Sequence, residues 1–175
     1  MAEKLILHEF TPSGNCYKVR LTAAHLGLPL ELREYDISKG ETRTPEFLES
    51  LNPNGRIPVL QVGDRLISES NPACFYLADG SALIPADRFE RARMWQWMCF
   101  EQYNLEPNIG TLRFWIHLLK KTRADLGEKL LEKKKDGYAA LDVLEQGLSG
   151  REFLVGERYS LADISLFAYT HVAHE

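Results

Sequence analysis

The sequence predicts an α/β domain followed by an all-helical domain. In residues 1–80, short apolar stretches alternate with segments in which apolar residues recur at helical spacing. Beyond this part helical spacing continues, and no strand candidate of comparable strength interrupts it. We therefore expect an N-terminal domain at 1–80, a proline-bearing linker at 81–87 and a helical domain at 88–175.

The first half of the N-terminal domain has the pattern strand, helix, strand. Residues 4–10 are predicted to form a buried strand, because their apolar side chains follow one another closely. A helix is predicted from Asn15 onward and ends at the Gly-Leu-Pro sequence at 27–29. Residues 30–35 alternate apolar and polar side chains, which predicts a second strand.

The second half of this domain is defined by cap and turn residues. The Thr-Pro-Glu sequence at 44–46 supplies an N-cap hydroxyl, a proline at the first helical position and an acid in the first turn. The Gly-Asp pair at 63–64 separates two apolar runs, as in a two-residue hairpin. With a last helix at 70–78, the order of elements is that of a thioredoxin-like domain.

The C-terminal part is predicted to consist of helices at 87–97, 107–119 and 123–146, with a break at the Glu-Pro pair at 106–107. Ser160 and Asp163 have the spacing of a capping box, which predicts the start of a further helix.

Composition excludes several classes of function. Apolar residues make up 45% of the chain and charged residues 26%, which is ordinary for a globular protein that buries a core. The net charge of -4 gives no reason to expect nucleic acid or an anionic membrane as a partner. The five histidines show no metal-ligand spacing beyond a terminal pair, so no metal is expected.

The three cysteines are too few and too irregularly spaced for a disulfide framework or a structural zinc site. This pattern favours a reducing compartment, and we expect a cytoplasmic protein. Cys74 and Cys99 stand among apolar residues and are predicted to lie in the core. Cys16 lies near a predicted helix start, where a cysteine can become nucleophilic.

Ser13 and Cys16 have the spacing of a C-x-x-C redox motif with serine in the first position. The attacking residue of a thioredoxin-like domain is the first of that pair, so Cys16 has the less favourable position for redox chemistry. A hydroxyl at the N-terminus of a helix could instead stabilise the sulfur of a bound thiol.

Two further segments have the chemistry of a peptide-binding site. A cis Ile57–Pro58 bond would turn the main chain of Ile57 outward to pair with an extended peptide, although an ordinary turn explains the proline equally well. Glu69 and Ser70 precede or begin a helix, where a carboxylate and an ammonium on one carbon could both bind. The alternative is plain capping by Ser70 or Asn71.

The chain resembles the cytosolic glutathione S-transferases in TPSGNCYKVRL, PEFLESLNPNGRIPVL, ISESNPACFYL and RYSLADISLF, which occur in family order over most of its length. The resemblance is to serine-type, bacterial-like members with some nu-type features. It implies a thioredoxin-like domain followed by an all-helical one, glutathione as co-substrate and a homodimer. The family normally continues beyond the last helix, so the C-terminus is expected to be shortened, either because the sequence is a fragment or because the terminal helices are absent.

The resemblance also implies roles for individual residues. Ser13, helped by Asn15, would donate hydrogen bonds to the glutathione sulfur and so be catalytic. The residues expected to bind the rest of glutathione or a second substrate are Lys39, Thr42, Ile57, Pro58, Glu69, Ser70, Tyr103 and Ile109. Tyr103 and Ile109 are preferred as pocket residues because they flank the predicted break at 106–107.

Three functions remain open on this basis. The first is transfer of glutathione to a hydrophobic electrophile, which is the reaction that the resemblance favours. The second is glutathione-dependent reduction of small disulfides, which the pairing of Ser13 with Asn15 suggests. The third is a non-catalytic interaction module built on the same fold.

Overall fold

The computed structural model describes residues 3–175 and contains two compact units, of which one ends at Ser81 and the other begins at Ala82. The first unit is α/β, and the second is built from helices throughout the described residues. Within residues 3–175, no helix has the length and apolar character needed to cross a membrane.

The first unit is organised around a four-stranded mixed sheet with the order β2-β1-β3-β4. The central strand β1 (Leu5–Glu9) runs parallel to β2 (Glu31–Glu34) and antiparallel to β3 (Val59–Val62). Strand β4 (Arg65–Ser68) completes the hairpin with β3 across the predicted Gly-Asp turn. Together with the helices this arrangement confirms the predicted thioredoxin-like fold.

The described part of this unit, residues 3–81, contains three α-helices: α1 (Gly14–His25), α2 (Pro45–Ser50) and α3 (Ser70–Ala78). The predicted start of α2 is confirmed, because the Thr44 hydroxyl accepts a hydrogen bond from the Phe47 N–H at 3.2 Å. Helices α1 and α3 pack against each other. Ser70 at the start of α3 is hydrogen-bonded to Asn15 near the start of α1, so the two N-termini lie on one side of the domain.

The second unit begins with a long helical segment. Helix α4 (Arg88–Phe100) starts after Asp87, whose carboxylate accepts hydrogen bonds from two main-chain N–H groups of the first turn. The segment continues as a π-helix over Glu101–Gly110, as α5 over Thr111–Arg113 and as a second π-helical stretch over Phe114–Leu118.

The predicted break at Glu106-Pro107 is wrong, because Pro107 lies inside the π-helical stretch Glu101–Gly110. A proline interrupts an α-helix by removing one N–H and by crowding the carbonyl four residues earlier. The wider π-helical spiral relieves that crowding. Two side-chain amides add hydrogen bonds to main-chain carbonyls of this stretch: Nδ2 of Asn104 donates to the Phe100 carbonyl at 3.2 Å, and Nδ2 of Asn108 donates to the Asn104 carbonyl at 2.7 Å.

The single helix predicted at 123–146 is divided in the structure. Helix α6 (Arg123–Leu126) is followed by Gly127 with a φ of 52° and a ψ of -134°, and α7 (Glu128–Leu148) begins after it. Glycine adopts this conformation at little cost, whereas residues with side chains rarely do. Gly127 therefore ends one helix and lets the chain enter the next.

Helix α8 (Leu161–Thr170) is the most buried helix of the second unit, and its predicted capping box is confirmed. Oδ2 of Asp163 accepts hydrogen bonds from the N–H and the hydroxyl of Ser160 at 2.8 and 3.0 Å. Its Oδ1 accepts a third from the N–H of Leu154 at 2.9 Å. One carboxylate thus ties the start of α8 to the loop before it.

Candidate functional site

Ser13 lies at the N-terminus of α1, where its extended backbone makes it the N-cap residue. Its main-chain N–H donates to the Phe10 carbonyl at 2.8 Å, and its hydroxyl oxygen accepts from the Cys16 N–H at 3.3 Å. The side chain is half-buried. Because the hydroxyl uses a lone pair for capping, its O–H hydrogen can still be donated to another acceptor.

Asn15 joins the N-termini of the two packed helices. Its Oδ1 accepts a hydrogen bond from the Ser70 hydroxyl of α3 at 3.3 Å and another from Nζ of Lys18 at 2.9 Å. The structure therefore brings three of the predicted residues, Ser13, Asn15 and Ser70, to one end of the thioredoxin-like unit.

Cys16 is fully buried in the first turn of α1. Burial raises the pKa of its thiol to about 11, and the neighbouring Ser13 side chain offsets only part of this effect. A thiol with that pKa is protonated at neutral pH and is a poor nucleophile. The geometry disfavours Cys16 as an attacking residue.

Cys74 is buried as predicted, but the prediction that Cys99 lies in the core is wrong, because Cys99 is exposed. Its helical neighbours Met94 and Met98 face the interior, and the side chain one position after Met98 is rotated away by about 100°. Apolar neighbours in sequence do not share a face in a helix.

The different exposure of these thiols predicts one fast-reacting cysteine in the native protein. We expect an alkylating reagent to modify Cys99 at the rate of a free thiol and to modify Cys16 and Cys74 only on unfolding. Mass spectrometry of the labelled peptides identifies the modified residue, and Cys99→Ser should abolish the fast phase. Fast labelling of Cys16 would contradict its burial and its raised pKa.

The Ile57–Pro58 peptide bond is cis, as expected. Ile57 is half-buried, and Pro58 is buried immediately before β3. Among the backbone hydrogen bonds of turns and loops in residues 3–175, none uses the N–H or the carbonyl of Ile57. The N–H and the carbonyl of Ile57 can therefore form main-chain hydrogen bonds with an extended peptide that binds beside them.

Glu69 precedes α3 in an unusual conformation. Its φ is 74°, and its side chain is exposed. A residue with a side chain rarely adopts a positive φ, and this backbone conformation costs of order 1–3 kcal/mol. Residues in such conformations cluster at functional sites. Next to it, the buried Ser70 hydroxyl donates its hydrogen bond to Asn15. A ligand carboxylate at the start of α3 would therefore be bound by main-chain N–H groups of the helix.

Lys39 and Thr42 lie in two short 3₁₀ turns before α2, at Ile37–Lys39 and Glu41–Arg43. Lys39 is exposed and paired with Asp36 at 3.1 Å, which raises the pKa of its ammonium group. Thr42 is buried. The two side chains therefore differ in their access to a ligand.

The two predicted pocket residues of the second unit differ strongly in exposure. Tyr103 is 84% exposed, whereas Ile109 is 9% exposed. Ile109 lines a cavity of about 520 Å³ whose wall also includes Leu112, Leu126 and Leu130. Tyr103 does not line this cavity.

Lys18 is the residue that sequence analysis missed. Its side chain is fully buried, although lysine is rarely buried without a specific partner. The available signal was the spacing of Asn15 and Lys18, which places both residues on one face of α1. A polar pair on a helix face that also carries Thr22 indicated a buried polar cluster.

Comparison with protein-family models gives two matches along the chain. Residues 12–79 match the model described as "Glutathione S-transferase, N-terminal domain". Residues 109–175 match the model described as "Glutathione S-transferase, C-terminal domain".

Individual proteins show the same similarity. A Glutathione S-transferase 1 from Dianthus caryophyllus is 34% identical over 94% of this chain and 75% of its own length. The crystal structure of a glutathione S-transferase from Pseudomonas fluorescens is similar with a TM-score of 0.92 and 46% identity, over 97% of this chain and 84% of that one. The glutathione transferase URE2P8 from Phanerochaete chrysosporium, solved with oxidized glutathione, has a TM-score of 0.86 and 28% identity over 99% and 80% of the two chains.

Proposed function

Because the chain belongs to the glutathione S-transferase family, we propose that it binds glutathione and holds its sulfur as a thiolate through Ser13. The thiolate then attacks a hydrophobic electrophile. A carbon–sulfur bond forms, and where the electrophile carries a leaving group, that group departs with its electron pair. Acceleration comes from proximity and from activation of the nucleophile, and the protein forms no covalent intermediate.

The observation that carries this proposal is the hydrogen bonding of the Ser13 hydroxyl. Its oxygen is held by the N–H of Cys16, which leaves the O–H hydrogen for a sulfur at the N-terminus of α1. A free thiol has a pKa near ~8.5, and lowering it by about 2 units takes about 2.7 kcal/mol. A hydrogen bond to a charged acceptor contributes roughly 1.5–3 kcal/mol, and the helix terminus adds about 0.5–1 kcal/mol. The hydrogen bond and the helix terminus together are sufficient to lower the thiol pKa by about 2 units.

The remaining parts of glutathione have complementary groups in the same unit. Ile57 would pair its main chain with the cysteinyl residue of glutathione, beside Pro58. The exposed Glu69 carboxylate would bind the γ-glutamyl ammonium, and the main chain at Ser70 would bind the neighbouring carboxylate. Lys39 is exposed and can exchange its pairing with Asp36 for the glycyl carboxylate.

Ser13→Ala is expected to raise the pKa of bound glutathione by about 1–2 units, since it removes a hydrogen bond to the thiolate. Thiolate at pH 7 should then fall roughly 3- to 25-fold, because a wild-type thiol with a pKa near ~6.5 is already mostly ionised there. Ultraviolet absorbance of the thiolate across a pH titration measures this. Thr11→Ala is a matched control, because it removes a nearby hydroxyl that donates to the Glu34 carboxylate at 2.9 Å. Equal thiol pKa values in wild type and Ser13→Ala would remove Ser13 from the mechanism.

A second candidate is glutathione-dependent reduction of small disulfides. The similarity to a transferase solved with oxidized glutathione, itself a disulfide, supports it. Because the Cys16 thiol is buried and has a raised pKa, glutathione would supply the attacking thiolate and Cys16 would not. Turnover of a small disulfide compared with that of a chloronitroaromatic compound separates the two reactions.

The third candidate, a non-catalytic interaction module, predicts weak or no retention on immobilised glutathione. Firm retention together with turnover of either substrate would exclude it. The cytoplasmic location and the homodimer are proposals that rest on the family resemblance and on the free cysteines.

A further inference from the structure

The turn that joins β1 to α1 is held by charged side chains from outside the turn. It spans residues 10–13, and the N–H of Ser13 closes it by donating to the Phe10 carbonyl at 2.8 Å. Neither the N–H nor the carbonyl of Thr11 takes part in that hydrogen bond. These two main-chain groups therefore need partners that the turn does not supply.

Glu34 of β2 and Arg20 of α1 bind the two main-chain groups of Thr11. Oε1 of Glu34 accepts from the Thr11 N–H at 2.8 Å, and its Oε2 accepts from the Thr11 hydroxyl at 2.9 Å. Nη2 of Arg20 donates to the Thr11 carbonyl at 2.9 Å. Thr11 is thus held through its N–H and its carbonyl, two residues before Ser13.

Arg20 is itself fixed by a buried acid. Its Nη1 is paired with the carboxylate of Glu9, which is 1% exposed at the end of β1. A buried carboxylate needs such a partner, because an unpaired charge in the interior is costly. One planar guanidinium can make both bonds, with one nitrogen towards Glu9 and the other towards Thr11. The Thr11 carbonyl is thereby tied to the interior of the thioredoxin-like unit.

Thr11 is exposed, so water could also satisfy its main-chain groups. Bonds to water would leave the position of the turn free, whereas Glu34 and Arg20 belong to a strand and a helix and so place the turn relative to them. Position matters here, because the Ser13 hydroxyl must lie within hydrogen-bond distance of the glutathione sulfur. An error of about 1 Å is enough to weaken such a bond.

We propose that Glu34 and Arg20 are positioning residues that hold the turn at Thr11 and thereby place the Ser13 hydroxyl against the glutathione sulfur. This inference rests on the proposed function, because it assigns supporting residues to the same thiolate site. Neither residue is required to contact glutathione.

The charge of Glu34 by itself has the opposite effect on a thiolate. A carboxylate near the N-terminus of α1 disfavours a second negative charge there. Burial is the main cause of the raised pKa of the Cys16 thiol, and the Glu34 charge adds to it. Removing Glu34 should therefore lower the pKa of a nearby thiol if its charge alone matters, and raise it if the position of Ser13 matters.

The test compares two variants by the ultraviolet absorbance of bound glutathione thiolate across a pH titration. Glu34→Ala removes a negative charge and both bonds to Thr11. Arg20→Lys keeps the positive charge opposite Glu9 but lacks the second nitrogen that reaches Thr11. We expect both variants to raise the thiol pKa by about 0.5–1 unit, a roughly 3- to 10-fold change in the ionisation constant. A lowered or unchanged value in either variant would overturn the proposal.

Glu34 is exposed, so Glu34→Ala is expected to fold, and it decides the proposal alone if Arg20→Lys does not fold. Glu31→Ala is the matched control. Glu31 is an exposed acid on the same strand, and it is paired with Lys4 and Arg33. This variant should leave the thiol pKa unchanged, and a rise equal to that in Glu34→Ala would overturn the proposal.

A double variant tests whether Glu34 acts through Ser13. In the Ser13→Ala background, Glu34→Ala should cause no further rise of the thiol pKa, because the hydroxyl that is being positioned is absent. An equal rise in both backgrounds would show that Glu34 acts independently of Ser13 and would overturn the inference.

The outcomes also separate this inference from the proposed function. A thiol pKa that is low in wild type and raised in Ser13→Ala, but not in Glu34→Ala, rejects the positioning role alone. An ordinary thiol pKa in the wild-type complex rejects both proposals.

Discussion

Replacing Asp163 by alanine is expected to lower the free energy of unfolding by about 3 kcal/mol. The carboxylate accepts three hydrogen bonds, two from Ser160 and one from the N–H of Leu154. Ser160 is 1% exposed and Leu154 is 2% exposed, so water cannot readily replace the lost partner. Hydrogen bonds to charged groups contribute about 1.5–3 kcal/mol each, and their losses do not add fully. Urea unfolding followed by circular dichroism measures the effect.

The chain contains its own control for this prediction. Asp125 forms the same capping box at α6, accepting from the N–H and the hydroxyl of Thr122 at 2.7 and 2.8 Å. Both residues are exposed, so water can replace the lost acceptor. We expect Asp125→Ala to cause a much smaller loss of stability than Asp163→Ala. Equal losses would show that burial does not set the energy of the Asp163 hydrogen bonds.

Gly147→Ala and Gly137→Ala are expected to change stability in opposite directions, although both glycines lie in α7. A methyl group on Gly147 would lie 2.5 Å from the ring carbons Cη2 and Cζ2 of Trp97, which is buried and cannot move freely. Such overpacking costs about 1–3 kcal/mol. A methyl group on Gly137 would meet Ile109 at 3.4 Å, an ordinary contact, and the helix gains about 0.5–1 kcal/mol.

Thermal and denaturant unfolding of the two variants measure this difference. Tryptophan fluorescence, to which Trp95, Trp97 and Trp115 all contribute, gives a second readout, because Gly147→Ala but not Gly137→Ala should alter the surroundings of the Trp97 indole. Equal stability of the two variants would show that the Trp97 ring moves aside at no cost.

Much of the fold follows from signals that act over a few residues. The Thr44 cap, the Gly-Asp hairpin and the Ser160–Asp163 box each specify a local hydrogen bond, and each is present in the structure. The order of the strands and helices in residues 1–80 was sufficient to predict the thioredoxin-like unit, and the Ser160–Asp163 box predicted the start of α8. Local signals of this kind do not require knowledge of what packs against them.

Other features that the sequence did not reveal depend on contacts between distant elements. The exposure of Cys99 depends on which face of α4 meets its neighbours, and apolar neighbours in sequence do not reveal that face. The bond of the Ser70 hydroxyl to Asn15 joins residues 55 positions apart, so neither segment alone could predict it. Lys18 is fully buried on α1, a helix that packs against α3, and the helix sequence alone does not specify this burial.

The residue roles in the candidate site stay predictions for the same reason. Ser13, Asn15 and Ser70 are brought together by the fold, and their hydrogen bonds suit a thiolate site. A ligand contact depends on the position of a second molecule, which neither the spacing of residues nor their burial specifies.

The π-helical stretch Glu101–Gly110 allows one continuous helical segment to pack against two different helices, α8 and α7. Each π-helical turn closes its hydrogen bond one residue later than an α-helical turn, so the following side chains are rotated about the axis. Before the stretch, α4 packs against α8; after it, α5 packs against α7. The π-helical residues therefore rotate the contact face of one continuous helical segment from α8 towards α7, and no loop is needed between the two contacts.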